Sequence, residues 1–204
     1  EVGFHGGQSV GRADQYLYPF YEADLREGRL TKEEGQELID CWFMRFSQMF
    51  SVMPADQAFF MSNHTSAHHL GIGGLKADGT DASNALSYMF IEAMIHTRMA
   101  DPWFAVFVHT KSPDSVLIKS AELTASGSAH PQYLNSDVGI AQCLARGSMG
   151  GPMVTIADAR NSSNVGCLEL VIPGKDSGYL YIGGHNLAEA LELVLTNGVR
   201  RIDG

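Results

Sequence analysis

The run WFAVFVH, residues 103–109, constrains the fold more than any other stretch of the chain. It is apolar up to its last residue and shows no polar alternation, so it reads as a strand covered on both faces. Helical patterns flank it. A helix over roughly 81–99 stops at Asp101-Pro102, and another opens at Ser112-Pro113-Asp114 and ends near Gly127. Farther on, a helix around 137–146 holds Cys143. A last one starts at Asn186 in NLAEALELVLTNG and is closed by Asn197-Gly198. Near the front, Thr31-Lys32-Glu33-Glu34 forms a capping box. Leu38, Ile39, Trp42, Phe43, Phe46, Met49 and Phe50 follow at helical spacing, predicting an amphipathic helix over roughly 32–50 with Cys41 in the core. Buried strands alternating with helices predict an α/β layer or barrel with parallel strands. In such folds the loops at the C-terminal strand ends carry the chemistry.

A chain of 204 residues can build one sizeable core or part of a larger one. Neither an internal repeat nor a linker divides it, so residues 1–204 read as a single segment. Fourteen Lys and Arg against 23 Asp and Glu leave a net charge of −9, which disfavours nucleic acid as a partner. No apolar stretch approaches a membrane span and no signal peptide opens the chain. Cys41, Cys143 and Cys167 are far apart without a CxxC pair, so no disulfide or zinc cluster is expected and a reducing cytoplasm is. His64 and His68 have helical i, i+4 spacing but lack the glutamate of HExxH and a third ligand, which leaves no metal site. The glycine-rich stretch 71–82 lacks both GxGxxG and the Walker lysine, and no clear strand precedes it. A tight turn is the better reading.

The stretch SSNVGCLELVIPGKDSGY, residues 162–179, raises a chemical question. From Val165 it reads as one short buried strand closed by Pro173-Gly174. Residues i and i+2 of a strand share a face with Cα atoms roughly 6.5–7 Å apart, so Cys167 and Glu169 would look into one space. A carboxylate there must be paired, protonated or used. The residues alone allow an inert core cysteine beside a partnered glutamate, or a reactive pair.

Four segments settle on a family in the same order along the chain. GRADQYLYPFYEADLREGRLTKEEGQELIDCWFMRF (11–46), GIGGLKADGTDASNALSYMFIEA (71–93), DARNSSNVGCLE (158–169) and PGKDSGY (173–179) resemble the glycyl radical enzymes, the family of pyruvate formate-lyase. The resemblance implies that this chain is an internal piece of a ten-stranded α/β barrel, with the glycyl radical domain elsewhere. It implies a glycyl radical as protein-derived cofactor and a thiyl on Cys167, with Glu169 as acid and base. No metal is implied in this chain. Iron–sulfur cluster and S-adenosylmethionine belong to a separate activating enzyme.

Departures from relatives narrow the expected reaction. Pyruvate formate-lyases carry two adjacent cysteines, whereas Cys167 stands between Gly166 and Leu168, which disfavours acyl transfer. Dehydratases and choline-cleaving lyases continue to Gly-Trp-His-Asp, where this chain has Gly178, Tyr179, Leu180 and Tyr181. Loss of that Asp and a more aromatic lining point to an arylacetate decarboxylase of the 4-hydroxyphenylacetate type, with Tyr181 lining the substrate. In that branch a serine upstream of GRxDQ contacts the substrate carboxylate. Ser9 matches, against its reading as a turn hydroxyl in a Gly-rich loop. The partners so implied are a small aromatic carboxylic acid, the activating enzyme, a small iron–sulfur subunit and further copies in an oligomer. Another glycyl radical enzyme on the same barrel (dehydratase, C–N or C–S lyase, fumarate-adding synthase or formate acetyltransferase) and an inactive remnant of the fold are the rivals.

Overall fold

The computed structural model describes residues 8–48, 55, 68–148, 153–165, 169–176 and 186–199. Four strands, β1 (Gln8–Arg12), β2 (His68–Gly73), β3 (Trp103–Val108) and β4 (Gln132–Asn135), lie in sequence order in one wholly parallel sheet. Parallel neighbours require crossovers, and helices occupy them. After β1 come α1 (Ala13–Tyr16), α2 (Tyr18–Arg26) and α3 (Lys32–Ser47); α4 (Ala85–Thr97) joins β2 to β3, and α5 (Asp114–Ala125) joins β3 to β4. Beyond β4 lie α6 (Ser136–Ser148), α7 (Ile156–Arg160), strands β5 (Ser163–Val165) and β6 (Glu169–Val171), and α8 (Leu187–Leu195).

The two faces of the sheet differ because alternate residues point opposite ways. Leu70, Ile72, Phe104 and Val106 turn toward the helices and join Phe43, Phe90, Ile91, Met94 and Leu123 in the main core. Burying a side chain of that size is worth about 1.5–3 kcal/mol. His69, Gly71, Gly73, Trp103, Ala105 and Phe107 face the other way. On that face the short strand β5 lies close to β1 and β2. Phe104, Ala105, Val106 and Phe107 of β3 are all buried, so both its faces are covered, as its unbroken apolar run required.

Local signals hold where the side chains act on their own backbone. Thr31 Oγ1 accepts from the Glu34 N–H at 3.1 Å while the Glu34 carboxylate accepts from the Thr31 N–H at 2.8 Å, closing the capping box of α3. Asn197 and Gly198 have φ of 54° and 84°, the left-handed turn expected after α8.

Several expectations are overturned. A strand does precede the glycine-rich turn: β2 was hidden because Gly71 and Gly73 break its apolar pattern. His68 belongs to that strand rather than to a helix, and α4 begins at Ala85 after an Asn84 cap instead of near residue 81. Cys41 is exposed, because Ile39, Phe43 and Phe46 take the buried face of α3 and position 41 falls outside that stripe. The run from Val165 to Ile172 is not one strand: Val165 ends β5, which pairs antiparallel with β6 so that Ser163 faces Val171 and Val165 faces Glu169.

Candidate active site

Val165 of β5 and Glu169 of β6 are antiparallel partners, and Gly166, Cys167, Leu168 and Tyr181 lie outside the described residues. The expectation that Cys167 and Glu169 look into one space falls on Cys167, which lies outside the described residues. Glu169 opens β6 and is exposed in this chain.

The base of the hairpin is fixed firmly. Ile172 is buried with Cys143 and Ala159 in a second cluster, against which Leu170 packs. Arg146 Nη2 donates to the Leu170 carbonyl at 2.8 Å, and the Asp176 carboxylate accepts from the Ile172 N–H at 3.0 Å. Cys143 is thus packing material, and burial pushes its thiol pKa up.

On the sheet beneath, Ser9 lies beside His69 in the β1–β2 register, yet Arg12 lies beside Gly71. Three steps on β1 match two on β2, which is a bulge of one residue. Gly11 provides the turn with φ of 73°, and Ser9 Oγ accepts from the Gly11 N–H at 3.0 Å. Ser9 thus sits on β1 with its hydroxyl accepting from the bulge, and its O–H proton remains available to donate. Next to it, His69 is buried and stands edge-on to Trp103, with ring centroids 5.2 Å apart. His69 and its strand were missed from sequence because a histidine pair before glycines resembles a loop.

The GRADQ motif forms the support. Arg12 Nη1 donates to the carbonyls of Gly73 and Leu75 at 2.9 and 3.0 Å, and its Nη2 to Asn161 Oδ1 at 3.3 Å. One guanidinium so ties β1 to the glycine-rich turn and to the residue leading into β5. Burial lowers the Arg12 pKa against the opposing pull of Asp14. The Asp14 carboxylate accepts from the Gly73 N–H at 2.8 Å and from Ser87 Oγ at 2.5 Å. It is fully buried, and desolvation raises its pKa to about 6 despite these bonds and the nearby Arg12.

His109, just past the C-terminal end of β3, is spent on structure. Its Nδ1 accepts from the Lys111 N–H at 3.1 Å, which puts the proton on Nε2. Nε2 lies 3.0 Å from both Asp81 Oδ1 and the Gly74 carbonyl. Among the described residues no three His, Cys, Asp or Glu side chains converge as metal ligands do, and no helix is long and apolar enough to cross a membrane.

A wholly parallel sheet with helices on one face and a two-stranded hairpin on the other defines an α/β protein. The family model described as pyruvate formate lyase-like matches residues 4–204. The isethionate sulfite-lyase of Nitratidesulfovibrio vulgaris is 36% identical over 93% of this chain and 22% of its own length. The 4-hydroxyphenylacetate decarboxylase glycyl radical subunit of Clostridioides difficile is 32% identical over 94% and 23%. A solved structure concerned with 1,2-propanediol dehydration in Roseburia inulinivorans superposes with a TM-score of 0.86 at 37% identity, covering 94% of this chain and 23% of that one. The chain belongs to the pyruvate formate lyase-like family, the glycyl radical enzymes. Its sheet is a portion of their α/β barrel, and it spans between a fifth and a quarter of the length of these relatives.

Proposed function

We propose that this chain is part of a glycyl radical lyase that decarboxylates an arylacetate, 4-hydroxyphenylacetate or a close analogue, through a thiyl on Cys167. The observation that carries the reading is the seat of the hairpin, with β5 close to β1 and β2 and hence to the strand bearing Ser9. A thiyl needs a dry, close-packed surrounding, and Ser163, Asn164, Val165 and Ile172 are all buried. The glycyl radical, on a residue outside this chain, supplies the step that removes the Cys167 hydrogen atom. A separate S-adenosylmethionine-dependent iron–sulfur enzyme installs it, and a small iron–sulfur subunit belongs to the same reading.

The chemistry at this chain's residues balances as follows. The Ser9 hydroxyl donates to the substrate carboxylate, and Tyr181 lies against the ring. The Cys167 thiyl takes one electron from the carboxylate and becomes a thiolate, the bond to the carboxyl carbon breaks, and CO2 leaves a benzylic radical. Protonated Glu169 gives its proton to the thiolate. The benzylic radical then takes the hydrogen atom of the restored thiol, forming the methylarene and returning the thiyl. Solvent reprotonates Glu169, so one proton is consumed per CO2 released.

A second reading is a dehydratase or C–S lyase on the same barrel. The 36% identity with an isethionate sulfite-lyase and the 30% identity with the (2S)-3-sulfopropanediol dehydratase of Klebsiella oxytoca favour it. Against it stands Gly178-Tyr179-Leu180-Tyr181, which offers no carboxylate for elimination. Activated full-length enzyme given phenylacetate, 4-hydroxyphenylacetate and indoleacetate should release CO2 and a methylarene from at least one. Sulfite from isethionate or an aldehyde from 1,2-propanediol, without CO2 from any arylacetate, would replace the first reading by the second. Cys167→Ser should abolish turnover in either case.

A further inference from the structure

Asn164 lies on β5, three residues before Cys167, and its residue surface is 0% exposed. Neither Oδ1 nor Nδ2 has a hydrogen-bond partner among the described residues. Arg12 Nε, Asp14 Oδ1 and Ser163 Oγ nearby are also buried without a partner among the described residues, but Arg12 and Asp14 engage their other polar side-chain atoms, whereas Asn164 has neither amide atom paired. An enclosed amide without a partner destabilises the protein that contains it, and a leucine of similar shape would fill the space without that cost.

The direction of the side chain is set by the sheet. Asn164 Oδ1 stands 3.3 Å from the point that a Cβ on Gly71 would occupy, and the Phe107 ring closes the same notch from β3. Gly71 follows His69 by two residues on the inner face of β2, and Ser9 is beside His69 on β1. The orphaned amide therefore lies over the strand pair that carries the proposed carboxylate contact, on the strand that leads into the reactive cysteine.

We infer that Asn164 is a substrate-contact residue that determines specificity, its amide held unpaired in the resting protein to take an oxygen-bearing group, a hydroxyl or a carboxyl, of the small molecule acted on at Cys167. The inference rests on the reading of Cys167 as the reactive centre and deepens it. An amide offers a donor edge and an acceptor edge, which suits a group that can both give and receive a hydrogen bond. A site built in this way rejects an analogue without that group strongly, because the buried amide is left bare.

The test uses full-length enzyme without activation, so that binding is read separately from radical chemistry. Binding of 4-hydroxyphenylacetate, isethionate, 1,2-propanediol and trans-4-hydroxy-L-proline is measured by calorimetry. The compound that wild type binds tightest is then compared in Asn164→Leu. Hydrogen–deuterium exchange of residues 160–172 in the absence of ligand reports the stability of the hairpin. The expected result is exchange unchanged or slower in Asn164→Leu, together with an affinity reduced roughly 10–100-fold. Faster exchange would show that the amide has a structural partner, and unchanged affinity would show that a water or nothing fills the notch. Either overturns the inference. If isethionate or a diol binds and the loss is seen, Asn164 stands and the decarboxylase reading falls. If 4-hydroxyphenylacetate binds and Asn164→Leu binds it equally well, the decarboxylase reading stands and Asn164 falls. A wild type that binds none of the four overturns both.

Discussion

Gly71 and Asp14 show how single positions set the site. A methyl on Gly71 would meet Phe107 Cε2 at 2.6 Å, a distance that requires the ring or the hairpin above it to move. Gly71→Ala should lower stability by about 1–3 kcal/mol, the usual range for overpacking, with part of the loss recovered when Phe107→Leu is added. Unfolding midpoints of the two variants check this. Asp14 works through burial. Its folded pKa of about 6 lies above the ordinary carboxylate value, so its contribution is fully present below the unfolded pKa. That contribution is lost as pH rises through about 6. Asp14→Asn keeps an oxygen able to accept from Gly73 and Ser87, since both bonds fall on one carboxylate oxygen. We predict that it removes roughly 3 kcal/mol of pH dependence between about pH 4 and 6. Stability curves over that window should be flatter in the variant than in wild type.

At the scale of elements, what was legible followed from side chains acting on their own backbone or on a periodic stripe. The capping box of α3 is such a case: Thr31→Ala should cost about 1 kcal/mol and Thr31→Ser much less, measured by denaturant titration. β3 was legible because both its faces are apolar. The others were hidden for distinct reasons. β2 carries two glycines and two histidines, residues that fit this strand only because the hairpin and Phe107 come so close to it. β4 alternates half-buried and exposed residues in QYLN, too short a run to read. The hairpin was misread as one strand because Val165, Leu168, Leu170 and Ile172 make a continuous apolar pattern, and nothing local marks the reversal between Val165 and Glu169. Ser9 was legible as a candidate through its place before GRADQ, whereas the bulge that holds its hydroxyl against Gly11 depends on pairing with β2, sixty residues away.

For the molecule as a whole, the proposed chemistry separates into radical storage, which lies outside this chain, and proton and substrate handling, which lie within it. Glu169→Gln in the full-length enzyme should therefore leave the glycyl radical signal intact while turnover falls at least about 100-fold. Electron paramagnetic resonance and CO2 release, measured on one sample, check both halves; full activity would remove Glu169 from the mechanism. The exposure of Glu169 belongs to a chain that covers 22–23% of its relatives' length. The same applies to α8, which buries none of its residues here although Leu187, Leu191, Val194 and Leu195 form an apolar face.

The alternation of apolar strands with capped helices determined the α/β class, and four ordered motifs determined the family, because both are written in short-range patterns that need no partner. Which residues meet at the inner face was decided only by tertiary structure. Strand pairing in parallel sheets joins positions separated by whole helices, so the meeting of Ser9 with His69, of Gly71 with Asn164, and of Arg12 with Asn161 has no local signature. The antiparallel pairing of β5 with β6 is of the same kind, since it joins a strand lying close to β1 and β2 to one anchored in the second core cluster.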